Sequence, residues 1–161
     1  MKQSSKTLLG LAVLLALALA AFLIWNQKPP SDREQILAQL EAARAAAEAH
    51  SAGGIMQIVS ADYHDPLFNN DRLALFLRKT VNSKNSEAVR VALTPPNVQA
   101  QGETATTTSH LTVVSTATNQ TQYEGDVTLH WKREDGHRLL VFPAKVWRVV
   151  SADYNMGGLG E

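Results

Sequence analysis

The sequence predicts an α+β protein: an N-terminal transmembrane helix, then three helices packed on an antiparallel sheet. Three observations carry this. From Leu8 to Trp25 every residue but Gly10 is apolar. From about residue 31 to 82 the apolar side chains recur at intervals of three and four, the helical period. From about Glu87 the interval becomes two, in long segments rich in Thr and Val, as strands are.

The elements follow in order. Residues 1–7 form a short tail, expected in the cytoplasm because Lys2 and Lys6 precede the apolar run. As a helix, residues 8–25 rise about 27 Å, against a hydrocarbon core of about 30 Å. Trp25 suits the far interface, and Lys28 can snorkel beyond it. The alternative is a cleaved signal peptide, with Ala18-Leu19-Ala20 as the small-x-small site. The apolar run exceeds the usual signal core of about 7–15 residues, which favours the anchor. Either way the remainder lies outside the cytoplasm. Residues 26–30 are a linker stiffened by Pro29-Pro30.

Ser31-Asp32-Arg33-Glu34 has the form of a capping box. It predicts a helix to about His50, stopped by Gly53-Gly54, with Ile36, Leu37, Leu40, Ala43 and Ala47 as its apolar stripe. Ile55, Met56, Ile58 and Val59 predict a short second helix. Asp62 to Asp65 is expected as a turn or short strand. Asn69-Asn70-Asp71 offers caps for a third helix with the stripe Leu73, Phe76, Leu77 and Val81.

Strands are expected over 87–93 and, after Pro95-Pro96, over 98–101. Gly102 turns the chain into a strand over 103–116. Asn119-Gln120 turns it again into 122–134, and Asp135-Gly136 is a two-residue hairpin signal before a last strand over 138–150. The tail from Ser151 is expected to fray. With those turns Leu111 opposes Val127, Leu129 opposes Phe142, Trp131 opposes Leu140, and Asp126 opposes Lys145. Leu111, Val113, Tyr123, Val127, Leu129, Trp131, Leu140 and Phe142 then share the face beneath the helices. Thr106, Thr108, His110, Glu124, Asp126, Thr128, His130 and Lys132 form the solvated face.

The pattern resembles the nuclear-transport-factor-2-like superfamily, which includes polyketide cyclases and ketosteroid isomerases. The likeness rests on the long first helix, the short second one ending in Ile58-Val59-Ser60-Ala61-Asp62-Tyr63, and the third helix. It also rests on the Gln101-Gly102-Glu103-Thr104-Ala105 turn, the Asp135-Gly136 hairpin and the closing Lys145 to Val150, and it covers residues 31–151. It implies a curved sheet wrapped around a long helix, a cavity at the wide end, and frequent dimerisation. Tyr63, Phe76, Leu111, Val113, Tyr123, Leu129, Trp131 and Phe142 would line that cavity. Membrane-anchored members, such as the type IV secretion assembly factor and accessory proteins of lipid-import systems, share the order of one span and then the cone.

Composition excludes several functions. The 161 residues carry 15 basic and 15 acidic groups and no cysteine. The neutral sum joins +3 over residues 1–30 to −3 over 31–161. A basic nucleic-acid footprint is therefore missing, and so are disulfides, thiolate chemistry and a Cys zinc site. No two of His50, His64, His110, His130 and His137 have a metal-ligand spacing, so no metal and no cofactor is expected. Tyr63, His64 and Asp65 are the one tight group of catalytic residue types, in which a His beside a carboxylate could move a proton. Neighbours along a strand face opposite ways, so this set is incomplete. Val59-Ser60-Ala61-Asp62-Tyr63 recurs as Val150-Ser151-Ala152-Asp153-Tyr154, without a repeat around it.

The expected protein is thus a non-catalytic binding or assembly domain of a bacterial inner membrane. It would be anchored by residues 8–25 with its domain in the periplasm, and would engage a membrane-complex partner or a second copy. The alternative is a small-molecule-binding or isomerase-like cone using the apolar cavity, with Tyr63, His64 and Trp131 near its mouth.

Overall fold

A computed structural model describes residues 30–82, 87–138 and 142–154, with the backbone alone at 137–138 and 142–143. The anchor segment 8–25 lies outside the described residues. Among the described helices none is long and apolar enough to cross a membrane.

Helix α1 spans Asp32–Glu48 and starts as the capping box predicts. The Ser31 hydroxyl accepts from the Glu34 amide, and the Glu34 carboxylate accepts from the Ser31 amide at 2.7 Å. It does not end at Gly53-Gly54. His50 takes φ +55° and the chain turns there, with Ser51 N donating to Ala46 O and His50 N to Ala47 O. That is a Schellman turn with His in the place glycine usually takes. The two glycines instead lie inside helix α2, Ala52–Met56. A Cβ at Gly54 would come within 2.7 Å of the Ala46 side chain, so Gly54 permits a close helix approach. Helix α3 spans Asn70–Thr80, capped by Asn69 accepting from the Arg72 amide.

The strands are β1 Val89–Leu93, β2 Asn97–Gln101, β3 Thr104–Ser115, β4 Thr121–Arg138 and β5 Phe142–Tyr154. All pair antiparallel, in the order β1-β3-β4-β5, with β2 beside the first half of β3. Gly102 supplies φ +62° in the β2–β3 loop, and Asn119 supplies φ +57° before β4. Residues 58–64 run along the free edge of β5, where Val149 N donates to Ile58 O and Ser60 N to Val149 O.

The register corrects three expectations. Leu111 opposes Gly125 rather than Val127. That slip is two residues, so the facing of β3 and β4 survives it. Asp135-Gly136 is no turn: both residues lie within β4, and the pairing continues to Arg138 with Phe142. A Cβ at Gly136 would sit 2.7 Å from Val146, so this glycine serves a close strand approach. In consequence Trp131 opposes Val149 rather than Leu140, Leu129 opposes Ala152 rather than Phe142, and Lys145 opposes Asp135 rather than Asp126. Lys145 and Asp135 pair at 3.1 Å. β5 continues to Tyr154, past the expected end at residue 150, and Ala152 belongs to the core.

Helix α1 is held at both ends. Asp32 accepts from Arg133 and from Trp147 Nε1, and the Arg133 guanidinium stacks over the Trp147 ring at 4.8 Å. Glu48 accepts from Arg44 and from the Val91 amide on edge strand β1, both at 3.0 Å. Between these ends Ile36 and Leu40 pack into a core of Trp131, Trp147, Val149, Ile58, Tyr63 and Ala152. Trp131 satisfies its indole N–H on Thr107 Oγ1 at 3.0 Å.

Candidate functional site

Asp65 is the most enclosed carboxylate among the described residues, 4% exposed. Its Oδ1 accepts from the Leu67 and Phe68 amides, each at 2.7 Å. Its Oδ2 accepts from the Tyr63 hydroxyl at 2.5 Å and from the Tyr154 hydroxyl at 3.4 Å. Asp65 N closes the loop on Phe68 O, and Pro66 sets the turn between them.

Burial alone would push this carboxyl up. The hydrogen bonds from Tyr63, the Phe68 and Leu67 amides and Tyr154 outweigh it and hold Asp65 below the usual carboxylate range. Burial first, and then the bond to Asp65, push the Tyr63 phenol well above its ordinary value. A general base works best near the operating pH, and an acid likewise. Asp65 and Tyr63 are both displaced away from it, and they satisfy each other. His64 is exposed whereas Tyr63 and Asp65 are buried, and its amide is bonded to Val150 O. Tyr63, His64 and Asp65 therefore do not converge on a substrate position.

The repeated pentapeptide acquires a physical account here. Residues 58–64 run alongside Val149 and Val150, and the terminal tyrosine of each copy, Tyr63 and Tyr154, meets the same oxygen of Asp65. Sequence reasoning noticed the repeat but missed Tyr154 as a site residue.

A groove of about 500 Å³, apart from Asp65, lies between α1, α2, α3 and the sheet. Its walls include Ile55, Leu77, Val89, Val91 and Val113, with His50 and Glu87 as polar groups. His50 Nδ1 is 3.2 Å from Val81 O, and Glu87 accepts from Ser115 Oγ at 2.5 Å. Of the expected cavity residues, Val113 lines this groove. Tyr63 and Trp131 are core, and Leu111, Leu129 and Tyr123 are half-buried. The Tyr123 hydroxyl is enclosed without a hydrogen-bond partner among the described residues. Phe76 is 45% exposed and tilts against Phe68 at 5.2 Å, because α3 turns that side away from the sheet. The Phe142 side chain lies outside the described residues.

On the outer sheet face His110 has a carboxylate at each ring nitrogen, Asp126 at 2.8 Å and Glu124 at 3.4 Å. Those bonds, Asp126 first, raise its pKa above the ordinary histidine value. His130 pairs with Asp153 at 2.8 Å. Among the described residues no three His, Asp or Glu side chains are arranged to hold a metal ion.

These features define an α+β domain of the nuclear-transport-factor-2-like, cystatin-like fold, and solved structures agree. A nuclear-transport-factor-2-like protein with a cystatin-like fold from Novosphingobium aromaticivorans superposes with TM-score 0.58 at 19% identity, over 90% of this chain and 91% of that one. A cystatin-like-fold protein of unknown function from Nostoc punctiforme gives 0.59 at 12%, over 78% and 92%. Bd1075 of Bdellovibrio bacteriovorus gives 0.60 at 14% over 76% of this chain, which spans 40% of that longer protein. No protein-family model matches the sequence, and no curated protein does.

Proposed function

We propose that this is a non-catalytic binding domain of a bacterial inner membrane, tethered by residues 8–25 with the fold on the periplasmic side. It engages a protein of a membrane complex, or a second copy of itself, and helps to assemble or stabilise that complex. The observation that carries the reading is the state of Asp65. The one deeply enclosed carboxylate among the described residues is saturated by four donors, which hold it below the usual carboxylate range. The Thr-rich outer face of β3 and β4, with Thr108 and Thr128 exposed or half-exposed, remains open for a protein partner. Mild detergent extraction at native abundance, followed by copurification and light scattering, tests this: a partner or a homodimer is expected, and a monomer found alone counts against it.

The groove favours a second reading, a small apolar ligand, since about 500 Å³ falls within the range of ligand pockets. Native mass spectrometry would then show a bound lipid or metabolite, lost in a Val113→Trp variant. Unchanged turnover in a His64→Ala variant would remove the proton-transfer form of that reading.

A further inference from the structure

Helix α3 half-buries Leu73 and Leu77 and leaves its other large apolar residues outside. None of its 11 residues is buried, and Leu75 and Phe76 are 53% and 45% exposed. The preceding loop adds Leu67, 46% exposed, beside the Phe68 that packs on Phe76. The helical period separates two sides. Leu73 and Leu77 point inward, Leu73 to the core and Leu77 to the groove. At about 100° per residue Lys79, Arg72 and Phe76 lie within about 100° of Leu75 on one side, and Asp71 and Arg78 within about 60° on the other. The outward arc therefore joins two large apolar side chains to three cations and one anion. None of the ion pairs between described residues uses Arg72, Arg78 or Lys79. This +2 arc sits on a stretch, residues 31–161, whose net charge is −3.

We infer that the outward arc of α3, with Leu67 beside it, is a docking surface for an anionic lipid bilayer. Apolar side chains bracketed by Arg and Lys are what a helix needs to lie in a headgroup layer. Charge complementarity selects the occupant. A second copy docked through a two-fold axis would set this patch against itself, cation facing cation. An anionic bilayer offers both the apolar boundary and the opposite charge. The inference rests on the tethered reading for the nearness of a membrane, since the linker 26–30 reaches at most about 18 Å. Its geometry is independent of that reading. Each Lys or Arg near an anionic surface favours it about fivefold, so a net +2 predicts about a thirtyfold preference over a neutral surface.

The test uses the full chain, whose lack of cysteine allows single labels. Nitroxides are placed at Leu75→Cys and, as a control on the outer sheet face, at Thr108→Cys. The protein is reconstituted in phosphatidylcholine vesicles, with and without phosphatidylglycerol. The expected result is a label at 75 shielded from a water-soluble relaxant in the anionic vesicles and wet in the neutral ones, with the label at 108 wet in both. The shielding should vanish when Arg72→Gln and Lys79→Gln are combined. A label at 75 as wet as that at 108 in anionic vesicles overturns the inference. So does equal shielding in neutral vesicles, or shielding that needs an added acidic protein. Flotation with the neutral vesicles reports the anchor separately. A chain that floats with residue 75 wet keeps the tether and loses the docking surface. A chain that fails to float with neutral vesicles, yet floats with anionic ones and shields residue 75 there, loses the tether and keeps the docking surface.

Discussion

Helices α1 and α3 look alike in sequence and differ in the fold. Each begins with a side-chain cap, and each carries apolar residues at intervals of three and four. Helix α1 buries Ile36 completely and Leu40 nearly so, and both its ends are tied to the sheet by Asp32 and Glu48. Helix α3 buries no residue fully, half-buries Leu73 and Leu77, and leaves Leu75 and Phe76 outside. The lesson is that a stripe shows which face a helix can bury, whereas coverage by the sheet decides whether it does. The hydrophobic gain scales with area removed from water. It accordingly falls on α1 in full and on α3 in part.

The largest effect expected is at Ile36. An Ile36→Ala variant should lose about 2–5 kcal/mol of unfolding free energy in denaturant titration, because the emptied site is enclosed on all sides. A loss below about 1 kcal/mol would erase the contrast between the helices.

Next comes Asp65, which holds the loop that feeds α3. Asp65→Ala leaves the Tyr63 hydroxyl and two amides without their acceptor, an expected loss of about 2–3 kcal/mol. Its pH dependence has a definite sign. The folded pKa is depressed, so the stabilisation is fully present above the unfolded value of about 3.9 and is lost as pH falls through the folded one. Acid unfolding of the parent should therefore weaken in this window in an Asp65→Asn variant. A midpoint profile identical to the parent's below pH ~4 would remove Asp65 as its source.

Capping sharpens the comparison at smaller scale. Ser31→Ala removes the hydroxyl half of the box, leaves the residue-31 amide donating to Glu34, and should cost about 1 kcal/mol. Asn69→Ala, at the start of the loosely covered α3, should show instead as faster amide exchange over residues 70–74 than as a lower global stability. The smallest effect is expected at Leu75: Leu75→Ala should stay within about 0.5 kcal/mol in detergent-free thermal unfolding. A loss as large as that at Ile36 would mean that something covers α3.

Much of the fold was legible because its signals are local. The capping box of α1 involves residues three apart, and the alternation along β3 and β4 requires no partner to be known. The two-residue slip between these strands left every side chain on its expected face. The junction of β4 and β5 was not legible in the same way. Asp135-Gly136 carries the turn chemistry, yet the chain reads through it, and Gly136 is required by Val146 from the facing strand. At the site, Tyr63 and Asp65 were visible as neighbours in the chain. Tyr154 was not, because it reaches Asp65 across 89 positions.

The sequence by itself determined where α1 starts, which side of it is apolar, where the period changes from helix to strand, and which faces of β3 and β4 look inward. These rest on interactions within a few residues, each worth about 1 kcal/mol and independent of distant partners. Tertiary structure alone decided that β4 continues through Asp135-Gly136 to Arg138, that β5 runs to Tyr154, that both tyrosines of the repeated pentapeptide close on one carboxylate, and that α3 keeps Leu75 and Phe76 outside. Strand register is a sum over a whole ladder of pairs, and burial depends on what covers a face. Both outweigh one favourable turn or one apolar stripe.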